Sequence, residues 1–485
     1  MAPSFPVPAA RLAPLLLCSL LAACATVGPD YHPPVAQTPA AWQAVPLEGT
    51  VPMADIDLSR WWTQLADPQL SRLVDEALVA NPDLQRAAAA LRAARAAREL
   101  AAANRFPTLS ASAGASRSTA LGVSRSLYQA GFDAAWEPDV FGGTRRALEA
   151  AEADLAASAA DLQATRVSLV AEVALNYVEL RAYQARLAIA RDNLASQTET
   201  AQITDWRSQA GLASSLEVEQ ALSNRDSTRA AIPALDTGRA GAEHRLAILT
   251  GRMPGSLHTA LAVDEGARTG LLPSLPPGIA VSIPAEVLRQ RPDVQAAERR
   301  LAAETARIGQ AEAARYPAFS LSGNLGLEAL GLSVLGGGGQ IARSLAAGVS
   351  GPLFDAGRAR ARVQAQEAVR DQSRAAYEAT VLTSLEEVQN ALVALASGRE
   401  REQALSSAAE AARNAALLAR HRYTSGLIDF QTVLTTERSL LSIEDSLASA
   451  EAERVTALIQ LYKALGGGWS PGDTAMNARV SPPAV

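Results

Sequence analysis

Apolar positions along the chain change their spacing abruptly, and each change predicts an element. From Leu70 to Asn104 and from Ala285 to Ala314, apolar residues recur at helical spacing with Ala and Arg between them. Both stretches stop at an Arg-aromatic-Pro, Arg105-Phe106-Pro107 and Arg315-Tyr316-Pro317. Proline ends a helix because it has no amide hydrogen and disfavours the helical region in the residue before it. The period then falls to two. Leu109, Ala111, Ala113 and Ala115 alternate with Ser110, Ser112, Gly114 and Ser116; Tyr128, Phe132 and Trp136 alternate with Gln129, Asp133 and Glu137. In the second half Phe319, Leu321, Leu325 and Leu327 alternate with Ser320, Ser322, Asn324 and Glu328, and Ile341, Leu345 and Val349 with Ala342, Ser344 and Ser350. These are strands with one apolar and one polar face, in pairs at 108–137 and 318–351. Such strands are long enough to cross a bilayer when tilted, and surface hairpins on a soluble protein would show the same alternation.

Each strand pair leads into a long helical stretch. Gly143 to Gln209 contains no proline, and Leu155, Leu162 and Leu169 step into Val173, Leu180, Leu187 and Leu194 at heptad spacing. At 1.5 Å per residue this helix would measure roughly 100 Å. A turn near Gly211 starts a return toward Leu249. The counterpart runs from Arg358 to Ser425 through Val381, Val388 and Leu395, turns at Gly426, and returns through Leu434, Leu441, Val455 and Tyr462.

The likeness of the two halves is a true repeat. Asn81-Pro82-Asp83 returns as Arg291-Pro292-Asp293, and 292 − 82 and 316 − 106 both give 210. Gly211-Leu212 returns as Gly426-Leu427, and Leu249-Thr250-Gly251 as Ala464-Leu465-Gly466, each at 215. Four anchors in one order imply a duplicated domain rather than a solenoid. The expected organisation is a leader at 1–23, an extended segment at 24–69, a first repeat at 70–255, a connector at 256–284, a second repeat at 285–469 and a disordered tail at 470–485.

Composition narrows the function. The 485 residues are 48% hydrophobic but only 4% aromatic, which excludes disorder and suits closely packed Ala-rich helices. A net charge of -6 offers no global attraction to nucleic acid. Arg11 followed by the apolar run Leu12 to Ala23 reads as an export leader, too short to span a bilayer. The four histidines, His32, His244, His258 and His421, have no metal-ligand spacing, and neither a cofactor nor an enzyme activity is expected. Gly336 to Gly339 lacks the Lys-Ser or Lys-Thr of a phosphate loop and reads as a loop between strands.

Four strands cannot close a barrel, and an open sheet edge in lipid costs several kcal/mol per unpaired backbone group. Copies must therefore join. Two would supply eight strands, with an interior filled by side chains; three supply twelve and a conduit.

Several motifs carry a family resemblance. They are Leu21-Ala22-Ala23-Cys24, which resembles a bacterial lipobox; Val27-Gly28-Pro29-Asp30-Tyr31; Trp61-Trp62 with Leu65, Asp67-Pro68, Leu70 and Leu73; Trp136 to Gly142; and Leu461-Tyr462-Lys463-Ala464-Leu465-Gly466-Gly467-Gly468-Trp469. Together they span nearly the whole mature chain and resemble the TolC-like outer-membrane efflux protein family, in its lipoprotein branch serving resistance-nodulation-division pumps. The resemblance implies an α+β membrane protein: a homotrimer with a 12-stranded β-barrel in the Gram-negative outer membrane and an α-helical barrel of antiparallel coiled coils in the periplasm. Substrates would leave passively, driven by an inner-membrane pump reached through a periplasmic adaptor, or membrane fusion protein. Cys24 would be acylated and tethered to outer-membrane lipid. The adaptor would meet the hairpin tips, Arg207, Gly211, Leu212 and Ser214 in one and Arg422, Gly426, Leu427 and Asp429 in the other. Gate candidates at the periplasmic mouth are Asp429, Thr435, Glu437, Arg438 and Glu217. Relatives often carry an acid where this chain has Thr435, which implies an electrostatically weaker gate. Phe132, Tyr128 and Trp136 would face lipid or a subunit interface, and Asp133 and Glu137 the lumen; the reverse is open at the strand ends. A type I secretion duct, a periplasmic adaptor and a structural coiled-coil lipoprotein are the competing readings.

Overall fold

The structure is a computed structural model that describes residues 26–35, 38–43, 50–52, 57–120, 122–263, 271–276, 278–281, 284–335 and 340–470. The leader, Cys24, Gly336 to Gly339 and all of the 470–485 tail but Ser470 lie outside the described residues.

In chain order the elements are β1 (Thr50–Pro52), a 3-10 turn (Trp61–Leu65), α1 (Pro68–Ala80), α2 (Pro82–Ala103), β2 (Thr108–Ala120), β3 (Val123–Trp136), α3 (Gly143–Gln209), α4 (Ser215–Leu249), α5 (His258–Leu261), β4 (Ile279–Val281), α6 (Pro284–Gln290), α7 (Pro292–Ala313), β5 (Ala318–Ala329), a second 3-10 turn (Leu332–Val334), β6 (Gln340–Ser350), α8 (Arg358–Thr424) and α9 (Phe430–Ala464). The fold is mostly helical, with like halves: α3 and α8 have 67 residues each, α4 and α9 35 each, and α2 and α7 22 each.

One expectation is corrected. The single helices read over Leu70 to Asn104 and Ala285 to Ala314 are each two, broken before Pro82 and before Pro292. Pro82 forces Asn81 into an extended conformation, φ -65° and ψ 127°. Asn81 then caps the new helix: its Oδ1 accepts from the Asp83 and Leu84 amides at 2.9 and 3.0 Å, and its Nδ2 donates to the Leu249 carbonyl at 2.9 Å. The short strands β1 and β4, which pair in parallel, had no signature in the sequence.

The chain divides into two units. The first, residues 1–36, 89–159 and 295–379, holds one antiparallel sheet of order β2-β3-β5-β6. Thr108 pairs with Ala135, Trp136 with Leu321, and Ala318 with Ser350, so the two hairpins are joined edge to edge through β3 and β5. At the joint Phe141, just beyond β3, stacks on Tyr316, just before β5, with ring centroids 4.6 Å apart, and Phe319 lies 6.4 Å away. An N-terminal strap is tied to this unit by the buried Arg146. Its guanidinium donates to the carbonyls of Val27 and Gly28, both at 3.1 Å, and to Asp30 at 2.8 Å. Tyr31 donates to Glu298 at 3.1 Å. Gly28, at φ +90°, crosses so close to Gly309 that a Cβ would lie 2.3 Å from the Gly309 Cα.

The second unit comprises residues 37–88, 160–294 and 380–485. Its core is built on Trp61 and Trp62, both fully buried, with Tyr462, Leu458, Leu461 and Tyr177 around them. Trp61 packs edge-on against Trp62 at 6.1 Å and tilted against Tyr462 at 5.6 Å. The glycine run after α9 follows from this packing. A Cβ on Gly467 would press on the Trp61 ring at 3.0 Å, and the Gly468 amide donates to the Leu58 carbonyl at 2.8 Å. Arg291, also buried, holds Asp293 and Glu387, each at 2.6 Å, and the Ala464 carbonyl at 3.0 Å.

Candidate functional site

Two features of the chain face outward with chemistry to spare: the paired hairpin tips in the second unit and the sheet in the first.

The tips are built alike. Each long helix ends on a left-handed glycine, Gly211 at φ +74° and Gly426 at φ +72°. The following amide then reaches back, Leu212 to the Arg207 carbonyl at 2.7 Å and Leu427 to the Arg422 carbonyl at 2.9 Å. No side chain lies within 4 Å of a Cβ at either glycine, so conformation rather than space calls for glycine there. The return helices are capped by different chemistry. Ser214 and Glu217 form a capping box, the Ser214 amide donating to Glu217 at 2.8 Å. Asp429 accepts from the Thr432 amide at 2.8 Å and its hydroxyl at 2.6 Å, and these bonds hold the Asp429 carboxyl below its usual range. Glu217 and Asp429 thus serve their helix starts. Leu212 and Leu427 are left exposed at 69% and 73%, two apolar side chains at the extreme of polar turns.

Arg207 bridges the tips. It donates to the Tyr423 carbonyl at 2.9 Å, and its guanidinium lies 4.6 Å from the Tyr423 ring centre. Tyr423 in turn packs on Phe430 within a small core that includes Val433 and Leu434. Arg422 points to solvent instead. The pattern Arg-x-x-x-Gly-Leu is therefore shared by the tips while the role of its arginine is not.

The gate candidates separate. Thr435 is exposed, its hydroxyl bonded to the Gln431 carbonyl at 2.8 Å, and Arg438 donates to Asn224 at 2.8 Å. Glu437 is buried inside the chain: Thr200 donates to it at 2.7 Å and Arg420 stands at 3.5 Å. Burial pushes its carboxyl upward, opposed by these two groups. One heptad further, Glu444 is buried in the same way, accepting from Arg413 at 2.7 Å and Asn193 at 3.3 Å. Sequence reasoning missed this ladder, although Arg413 and Arg420, and Glu437 and Glu444, stand seven residues apart. It also missed Tyr423.

The sheet divides its residues as the alternation predicts. One face carries Leu109, Phe132, Trp136, Leu325, Leu345 and Val349, which are exposed at 38% or more. The other carries Ser110, Ser112, Asp133 and Asn324, with Ser112 donating to Asp133 at 2.7 Å. Among the described residues, β2 and β6 each pair on one side only. An apolar face open to the surroundings and a polar face behind it suit a strand wall between lipid and water. No helix among the described residues is long and apolar enough to cross a membrane.

A family model described as outer membrane efflux protein matches residues 73–252 and 283–467. The chain belongs to this family. Similar relatives include the outer membrane protein OprJ of Pseudomonas aeruginosa, 34% identical over 474 residues, covering 96% of this chain and 97% of that one. Nodulation protein T of Rhizobium leguminosarum bv. trifolii is 32% identical over 460 residues, covering 93% and 96%. Among solved structures, the outer-membrane channel OprN superposes with a TM-score of 0.83 at 39% identity, over 92% of this chain and 100% of that one. The fold is that of the TolC-like outer-membrane channels. As a member of the family the chain is the outer-membrane channel of a tripartite efflux system, a non-enzymatic role in the Gram-negative outer membrane.

Proposed function

We propose that three copies of this chain form a passive exit duct, with twelve strands closing one barrel in the outer membrane. The observation that carries this is the sheet itself: four strands whose outer members, β2 and β6, pair on one side only among the described residues, with one largely apolar face and one polar face. Cys24, three residues before Val27 in the strap held by Arg146, is the proposed site of acylation and anchors the chain to outer-membrane lipid. In this reading a periplasmic adaptor seats on the tips, with exposed Leu212 and Leu427 as apolar contacts and Arg422 as a charged one. A resistance-nodulation-division pump in the inner membrane supplies the energy. Thr435, Asp429 and Arg438 are the exposed groups proposed to line the periplasmic mouth; Glu437 and Glu217 support it from within the helices.

Two experiments test the reading. Purified protein in a planar bilayer is expected to give discrete conductance steps, and inserted protein that never conducts would overturn the duct. Gly211→Val with Gly426→Val is expected to abolish efflux in cells while trimers persist on gels; unchanged efflux would refute docking at the tips.

A further inference from the structure

The apolar face of the sheet is not wholly uncharged, and its charges are of one sign and toward one end. Residues directly opposite in a ladder share a face, so Ala111, Phe132, Leu325 and Arg343 form one row across all four strands. Ser110, Asp133, Asn324 and Ser344 form the neighbouring row on the other face. Arg117, on β2 with Ala111 and separated from it by an even step, falls on the apolar face too, because side chains alternate with a period of two. The charged residues of the four strands therefore divide unevenly. Both acids, Asp133 and Glu328, stand on the polar face together with Arg125. The apolar face holds Arg117 and Arg343, both exposed, and no acid among the described strand residues.

Height along the strands adds a second constraint. One end of the sheet runs into α2, α3, α7 and α8, and there Trp136 lies on the apolar face with its indole N–H donating to the Arg105 carbonyl at 3.1 Å. The other end closes on the links 121–122 and 330–339, which contain no charged residue. From the helical end, 350 − 343 gives 7 residues to Arg343 and 117 − 108 gives 9 to Arg117. At about 3.4 Å per residue these are roughly 24 and 31 Å of strand. With strands tilted by about 40°, they rise to roughly 18 and 24 Å across an apolar band about 25 Å tall, with Leu345 near its middle. A guanidinium is costly at the middle of that band and tolerated near its edge, where its stem follows apolar surface and its charge reaches the headgroups. Tyr128, on the same face and eight residues from Trp136, marks the same far level, as amphipathic rings do at a membrane boundary.

Resting on the duct reading above, which sets the helical end in the periplasm, we propose that Arg117 and Arg343 bind the phosphates of the outer-leaflet glycolipid, the diphosphorylated lipid A of lipopolysaccharide. Charge complementarity selects this occupant. The far level of the apolar face is positive, with no acid beside it in the strands or their links, and a guanidinium presents the paired donors that a phosphate accepts. A zwitterionic phosphatidylethanolamine offers as much positive as negative charge and is the poorer match. Repeated by the proposed trimer, the two arginines become a belt that sets how deep the barrel sits.

The test titrates purified full-length protein in detergent with diphosphoryl lipid A and reads the bound lipid by native mass spectrometry. Arg117→Gln and Arg343→Gln are each expected to weaken binding about fivefold, and the double variant roughly 25-fold, as loss of one basic contact at an anionic membrane surface does. Arg117→Lys with Arg343→Lys is expected to keep most of the affinity, and Arg125→Gln, on the polar face, all of it. Lipid A stripped of both phosphates is expected to bind the wild type no better than diphosphoryl lipid A binds the double variant. Equal binding of the stripped lipid and the intact one would overturn the proposal, as would an Arg125→Gln loss matching that of the other two. Phosphatidylglycerol bound as tightly as lipid A would overturn the choice of glycolipid. Conductance measured on the same preparations separates the two readings. A conducting protein indifferent to both arginines overturns this contact and leaves the duct standing; a protein that binds lipid A through both arginines yet never conducts overturns the duct and leaves the contact.

Discussion

The helical core of the second unit and the sheet of the first are both rich in large apolar residues, and they treat them oppositely. Trp61 and Trp62 have 0% and 1% of their surface exposed, while Phe132 keeps 57% and Leu345 79%. A core that hides its tryptophans is complete within one chain. A sheet that displays a largely apolar face, with β2 and β6 each pairing on one side only among the described residues, is on the proposed reading a component stabilised by lipid and by other copies.

That contrast can be broken most severely at the core. Trp61→Ala is expected to cost about 3–5 kcal/mol, since the indole contacts Trp62 and Tyr462 and leaves a large cavity. Urea titration of helical signal would record it, and an unchanged midpoint would show the core to be less closed than its packing. In the sheet, Leu345→Arg is expected to cost about 2–4 kcal/mol of membrane stability if the residue sits near mid-bilayer, while Ser344→Arg on the other face is tolerated. Heat-dissociation gels of both variants check this, and equal sensitivity would mean that the faces are assigned wrongly. At the first tip, Ser214→Ala removes the capping box and is expected to cost about 1 kcal/mol, read as faster amide exchange over the first turn of α4.

The smallest effect is a pH dependence. Burial raises the Glu437 pKa above the ordinary glutamate value of 4.5, so the folded chain binds this proton more tightly than the unfolded one. Its contribution to stability is then highest below 4.5 and declines as pH rises through the folded value. Glu437→Gln is expected to raise the melting temperature at pH 7, with the gain shrinking toward pH 4. A loss at pH 7 would show that the Arg420 pairing outweighs desolvation.

Much of this architecture was legible in the sequence because period and punctuation are local signals. The alternation at 108–137 and 318–351 assigned the faces of the strands, and glycine marked both tips. The breaks before Pro82 and Pro292 were missed, because apolar spacing continues through each proline and hides the bend. What the sequence concealed depends on partners far along the chain. Whether Glu437 faces water or Thr200 is decided by helices 237 residues apart, and the stacking of Phe141 on Tyr316 exists only once β3 and β5 pair. The tips likewise share a motif, yet only the fold reveals that Arg207 braces Tyr423 while Arg422 is free to meet solvent.

The decisive measurement is the protein mass of the purified particle in detergent, by light scattering corrected for bound detergent. Three copies of the chain are expected. A folded particle containing one chain would contradict the account, because the unpaired edges of β2 and β6 would then have no strand to meet.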